Sequence, residues 1–130
     1  MFITEKYFPI KLDDIVHNRK LCDSLKNMAK SRTVNNMLMY GPPGCGKKMI
    51  FYSYMREIYG DSIYNIKTNI YKISLPKTDL EVCMRTNQYF TEINIDHYHN
   101  HDKDIICNYV KEISKSYDVR GGEHVRVVVL

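Results

Sequence analysis

The sequence lacks tryptophan, long apolar runs and paired cysteines, and it has only four prolines. Its four cysteines, Cys22, Cys45, Cys83 and Cys107, stand apart without a C-x-x-C pair. Isolated thiols without a secretory leader argue against a disulfide-stapled secreted scaffold and predict reduced cysteines in an intracellular protein. No apolar stretch reaches the roughly 20 residues that a membrane-spanning helix needs, so no membrane partner is expected.

Blocks of like charge are also missing. The chain has 19 Lys and Arg against 15 Asp and Glu, a formal charge of +4, and these charges are scattered along its 130 residues. A mildly basic surface permits contact with nucleic-acid phosphates, but an ordinary solvated surface explains it equally well. The length and the 44% hydrophobic content predict one globular domain or part of one.

Three of the six glycines lie close together in residues 40–49, which read Tyr-Gly-Pro-Pro-Gly-Cys-Gly-Lys-Lys-Met. The spacing of Gly41, Gly46 and Lys47 fits a phosphate-binding loop, whose backbone N–H groups point at phosphate oxygens. The pattern then requires Ser or Thr to coordinate the magnesium of Mg-ATP, and Lys48 stands there instead. An ammonium group cannot ligate a hard cation. We therefore predict a site that binds ATP or ADP, with a doubtful role for magnesium and weak or no hydrolysis. Its residues are Gly41, Pro42, Pro43, Gly44, Cys45, Gly46, Lys47, Lys48 and Met49.

The segments around this loop have the pattern that such a site needs. Residues 34–40 are mostly apolar and of strand length, and the helical spacing of Ile50, Tyr54 and Met55 predicts a helix over residues 48–59 that ends at Gly60. A strand, a glycine loop and a helix N-terminus together form an anion site. The alternative is a Gly-Pro turn that binds nothing.

The rest of the chain alternates between helical and strand patterns. We predict a helix over residues 18–30, capped by Asn18 and lined on one side by Leu21, Leu25 and Met28. Strands are predicted within 64–75 and 80–95, a helix over 103–115 capped by Asp102, a loop over 116–123 and a strand over 125–130. This order favours an α/β fold with a largely parallel sheet.

Three alternating histidines, His97, His99 and His101, lie between the predicted strand region 80–95 and the predicted helix 103–115. On an extended segment they would face one side and be able to share zinc. No cysteine or fourth ligand is paired nearby, so a polar surface loop is the preferred interpretation and no metal site is predicted.

Several segments in the same order along the chain resemble the small subunits of replication factor C, the sliding-clamp loader. The resemblance is closest to the type with two lysines in the phosphate-binding loop. The matching segments are residues 5–9, 34–48, 56–60, 89–94, 105–115 and 127–130. They cover the whole chain but only the first part of the family's length.

The resemblance implies an AAA+ nucleotide-binding core, of which residues 1–130 would be the N-terminal part. In this family five subunits load a ring-shaped clamp onto primer–template DNA, with ATP bound between neighbouring subunits. The implied partners are other clamp-loader subunits and, through the complex, the clamp and DNA. Lys47 would contact the terminal phosphates. The loop over residues 4–9 would border the adenine together with Val16. The adenine-side residues are Thr4, Tyr7, Pro9 and Val16.

The chain also departs from the family pattern. Phe8 stands where arginine is usual beside the base, and Met49 where threonine is usual. The chain finishes at Leu130, before the acidic second motif, the lid and the collar of the family, so we expect apolar strand edges at 37–40 and 127–130 without their usual partner. Whether the chain is an enzyme is left open. The alternatives are a small P-loop nucleoside or nucleotide kinase and a nonfunctional remnant. The resemblance places the protein in the nucleus of a cellular eukaryote, or at the site of viral replication.

Overall fold

The computed structural model describes residues 2–32, 34–98, 100–115 and 127–130. The chain divides into two compact units, Met1–Tyr64 and Asn65–Leu130, and each is described by itself. The first unit is helical. Its elements are α1 (Ile3–Lys6), a 3-10 turn (Leu12–Asp14), α2 (Arg19–Lys30), α3 (Lys47–Tyr59) and a second 3-10 turn (Asp61–Tyr64).

Helix α2 forms over the predicted residues, but two details of the prediction were wrong. Asn18 has a left-handed backbone (φ 55°), and its side chain makes no capping hydrogen bond. A side-chain cap normally needs an extended backbone at this position, which is why the cap is missing. The buried face consists of Cys22, Leu25 and Ala29 rather than Leu21, Leu25 and Met28. Cys22 and Ala29 are small apolar residues at the same helical spacing, so the sequence pattern did not separate the two faces.

The core of the first unit contains residues from its turns as well as its helices. Leu12 and Ile15 are each 1% exposed, and Tyr54, Met55 and Ile63 are fully buried. Helix α3 thus buries the predicted face, and Gly60 ends it with a positive φ of 79°.

The predicted strand over residues 34–40 was wrong. The segment is not part of any β-ladder in the described chain. Its side chains are largely exposed, with Leu38 at 86% and Tyr40 at 87%. A strand is stabilised by hydrogen bonds to a neighbouring strand, and an apolar run of the right length does not supply that neighbour.

The described residues of the second unit form a mixed four-stranded sheet and one helix. Strands β1 (Lys67–Ser74), β2 (Asp79–Thr86), β3 (Phe90–Ile93) and β4 (Val127–Val129) are arranged in the order β1-β2-β3-β4. Strands β1, β2 and β3 are antiparallel, whereas β3 and β4 are parallel. The prediction of a largely parallel sheet was therefore wrong. The connections 75–78 and 87–89 are too short for the crossover that parallel neighbours require.

Helix α4 (Asp102–Lys115) packs its apolar face into the core of this unit. Ile105 and Tyr109 are buried in one cluster with Ile73, Val82, Met84 and Ile93 of the sheet. The α/β class and the helix at this place are as predicted. The loop predicted over 116–123 lies outside the described residues. Within the described part of the chain, no helix combines the length and the apolar character needed to cross a bilayer.

One buried hydrogen bond joins α4 to β3 and gives a prediction about stability. The Tyr109 hydroxyl and the Thr91 Oγ1 are 2.7 Å apart, and Thr91 is fully buried. Tyr109→Phe should lower the free energy of unfolding by about 1–3 kcal/mol, because the Thr91 hydroxyl would stay buried without this partner. Tyr71→Phe is the control, because it removes a hydroxyl from a neighbouring tyrosine. The Tyr71 ring contacts the Tyr109 ring edge-on, with 5.6 Å between the ring centroids. Urea unfolding measures both; equal losses would show that the bond contributes nothing specific.

Candidate phosphate-binding site

The glycine-rich loop is a tight turn in which all three glycines, Gly41, Gly44 and Gly46, have positive φ angles. Gly44 and Gly46 have positive φ angles of 78° and 88°, a region that other residues rarely adopt. A Cβ atom on Gly46 would also lie 3.2 Å from the Cε of Met49. The N–H of Cys45 donates to the carbonyl oxygen of Pro42 at 3.3 Å and closes the turn.

The loop leads directly into the N-terminus of α3. Gly46 is the N-cap of this helix, and its carbonyl oxygen accepts the hydrogen bond of Ile50 N–H at 3.0 Å. Glycine has no side chain with which to cap the first N–H groups of the helix, and the first turn carries no acidic residue. These N–H groups and the positive end of the helix dipole favour an anion at this position.

Lys47 reaches back from the helix to the start of the loop. Its Nζ donates to the carbonyl oxygens of Gly41 and Pro42 at 2.8 and 3.0 Å, and lies 3.8 Å from the Sγ of Cys45. The structure therefore brings together the beginning of the loop, its end and the lysine. An ammonium group beside the N-terminus of a helix can attract a phosphate group.

The next two positions offer poor ligands for a hard cation. Lys48 is exposed, and Met49 is half-buried with its methyl group turned toward Gly46. Magnesium prefers oxygen ligands, and neither an ammonium nor a thioether supplies one. Elsewhere in the described residues, no three His, Cys, Asp or Glu side chains lie close enough together to hold a metal ion. His99 lies outside the described residues.

The predicted adenine-side residues occupy the beginning of the first unit. Thr4 lies in α1 rather than in a loop, so the loop predicted over residues 4–9 was wrong for its first part. Tyr7 and Val16 are 70% and 83% exposed, and Pro9 is half-buried. Their contact with a base stays a prediction.

The structure also brings one residue to the loop that sequence reasoning missed. A Cβ atom on Gly46 would lie 3.6 Å from the Nε2 of His17 and 3.9 Å from its Cε1. The imidazole ring therefore lies beside the N-cap of α3. His17 is part of no local motif, and its separation from Gly46 along the chain gives no sequence signal of this proximity.

Comparison with known proteins confirms the predicted resemblance along nearly the whole chain. The chain is 30% identical over 124 residues to "Probable replication factor C subunit 3" of Dictyostelium discoideum, covering 94% of this chain and 36% of that protein. It is 28% identical over 117 residues to "Replication factor C subunit 5" of Saccharomyces cerevisiae, covering 88% and 33%.

An archaeal protein is similar over a comparable range. The chain is 30% identical over 126 residues to "Replication factor C small subunit" of Saccharolobus solfataricus, covering 97% of this chain and 30% of that protein. The chain thus spans about a third of the length of the curated relatives it matches. No protein-family model matches it.

Proposed function

From the similarity to replication factor C small subunits, which runs along nearly the whole chain, we propose that the protein is a nucleotide-binding clamp-loader subunit of the AAA+ class. Its role would be in DNA replication, in the loading of a sliding clamp onto primer–template DNA. The nucleotide-binding part of the proposal rests on the closed glycine loop, where the Lys47 ammonium donates to the carbonyl oxygens of Gly41 and Pro42 at the N-terminus of α3.

The bound cofactor in this proposal is ATP or ADP. The phosphates would contact the N–H groups of the loop and of the first turn of α3, with Lys47 beside the terminal ones. Thr4, Tyr7, Pro9 and Val16 would border the adenine.

We further propose that the site hydrolyses ATP weakly or not at all. Phosphoryl transfer needs a metal ion to neutralise the charge that develops on the phosphates. Lys48 replaces the hydroxyl that normally holds this ion, and Met49 offers no substitute oxygen. The subunit would then serve the assembly through bound nucleotide rather than through turnover.

The proposed partners are other clamp-loader subunits, with the clamp and DNA reached through the complex. The exposed apolar side chains of Leu38 and Tyr40 support a partner surface in the segment before the loop. The charges are scattered, so contact with DNA by this chain alone should be weak and depend strongly on salt. In a cellular eukaryote such an assembly would work in the nucleus.

Purification from native extract tests the proposed partners. We expect the tagged chain to retain clamp-loader subunits at 150 mM salt (about physiological ionic strength), and DNA to be lost as the salt concentration rises, because phosphate contacts release counterions. A Leu38→Ser, Tyr40→Ser variant should retain fewer subunits, and Ile70→Ser is the control for loss of an exposed apolar residue outside the proposed nucleotide site. Recovery of nucleoside-metabolising enzymes without replication proteins would favour a P-loop kinase and contradict the proposal.

A further inference from the structure

We propose that His17 is an additional phosphate-binding residue of the loop, an inference that rests on the proposed nucleotide binding and extends it. The ring lies beside Gly46, with its Nε2 3.6 Å from the position of a Cβ atom on that glycine. Gly46 is the N-cap of α3, next to the N–H groups that favour an anion. An imidazole at this place adds a hydrogen-bond donor to the same site.

The segment that carries His17 is anchored on both sides. Leu12 and Ile15, just before it, are each 1% exposed. The Nζ of Lys26 lies 2.6 Å from the Oδ2 of Asp13, and this hydrogen bond holds the pKa of Asp13 below its usual value. Just after it, the carbonyl oxygen of Asn18 accepts the N–H of Cys22 at 3.0 Å as α2 begins. The backbone on both sides of His17 is therefore held in place, which keeps the imidazole ring beside the glycine loop.

The ring is also available to a ligand. His17 is exposed, and no residue in the described part of the chain hydrogen-bonds to its nitrogens or forms an ion pair with it. The imidazole can donate from either ring nitrogen, depending on its tautomer. An incoming phosphate therefore need not displace an existing partner of the ring.

The balance of charge at the helix N-terminus points to a polyanion as the ligand. Lys47 and Lys48 begin α3, and the first turn contains no acidic residue. Cations near a helix N-terminus are disfavoured by the helix dipole, and an anion bound there reduces this penalty. His17 lies on the same side of the loop as Met49, where the family's threonine hydroxyl is missing, so the imidazole supplies a polar group there.

The experiment compares two probes on the full chain. Calorimetry measures the affinity for ADP and for inorganic tripolyphosphate, which has no base, in wild type, His17→Ala and His17→Gln. We expect His17→Ala to weaken both probes by about fivefold to tenfold, the net scale of one ordinary hydrogen bond. His17→Gln keeps a donor and should recover most of the loss. His97→Ala removes an exposed imidazole from the second unit and controls for the loss of a histidine as such.

The outcomes separate this inference from the proposed function. If wild type binds both probes and His17→Ala binds them within twofold of wild type, the inference is overturned while nucleotide binding stands. A loss for ADP without a loss for tripolyphosphate places His17 at the base and also overturns it. If wild type binds neither probe, the proposed function fails and this inference with it. Because His17 is exposed, thermal unfolding of the variants should match wild type.

Discussion

Replacing Lys47 with alanine is expected to weaken ADP binding by about 1.5–3 kcal/mol, or roughly tenfold to a hundredfold. The ammonium lies 2.8 and 3.0 Å from the carbonyl oxygens of Gly41 and Pro42. Its removal deprives the phosphates of a neighbouring cation. It also removes the hydrogen bonds that connect the end of the loop to its beginning. Calorimetric titration of ADP measures the effect.

The control for this change is Lys30→Ala, which removes the same charge from an exposed lysine in the last turn of α2. Its ADP affinity should stay within about twofold of wild type, because an exposed charge away from the loop is screened by salt. Equal losses in the two variants would mean that Lys47 acts only through net charge. No loss in Lys47→Ala would mean that the loop does not hold the phosphates.

Lys48→Thr is expected to create a magnesium dependence that the wild-type chain lacks. A threonine hydroxyl at this position can ligate the magnesium of a nucleotide complex, whereas the ammonium of Lys48 repels it. In wild type, magnesium should change ADP affinity by less than about threefold, and in Lys48→Thr it should raise the affinity about tenfold. Parallel titrations with magnesium and with a chelator measure both ratios. A tenfold gain already present in wild type would show that another residue supplies the ligand.

The helices were predictable because their signals are local. Helix α3 is marked by apolar spacing and by Gly60 at its end, and α4 by the spacing of Ile105 and Tyr109. These patterns depend on the chain's own periodicity. The exact set of buried residues on a helix was harder to predict. Val110 fits the same apolar spacing in α4 but is 47% exposed.

Strand pairing was less predictable, because it depends on residues far apart in the chain. The mostly apolar run over 34–40 looks like a strand and pairs with no described residue, while β4, which is also apolar, pairs with β3. The short connections between β1, β2 and β3 point to antiparallel hairpins once the strand ends are known. The alternation of helices and strands alone suggested the wrong, largely parallel arrangement.

The candidate site shows the same difference between local sequence signals and contacts formed by distant residues. The positions of Gly41, Gly46 and Lys47 follow from their spacing, because a phosphate-binding loop is continuous in sequence. His17 reaches Gly46 only through the packing of the first unit, where Leu12 and Ile15 are buried. No pattern within a short window encodes that approach, so only the folded structure reveals the residue.

The proposed function requires that this loop holds nucleotide phosphates without the help of magnesium. Calorimetric titration of ADP into the purified wild-type chain, in the presence of a chelator, tests it most directly. We expect saturable binding of one ADP per chain, with an affinity that changes by less than about threefold when magnesium replaces the chelator. Absence of binding in both conditions, or binding that arises only with magnesium, would contradict it.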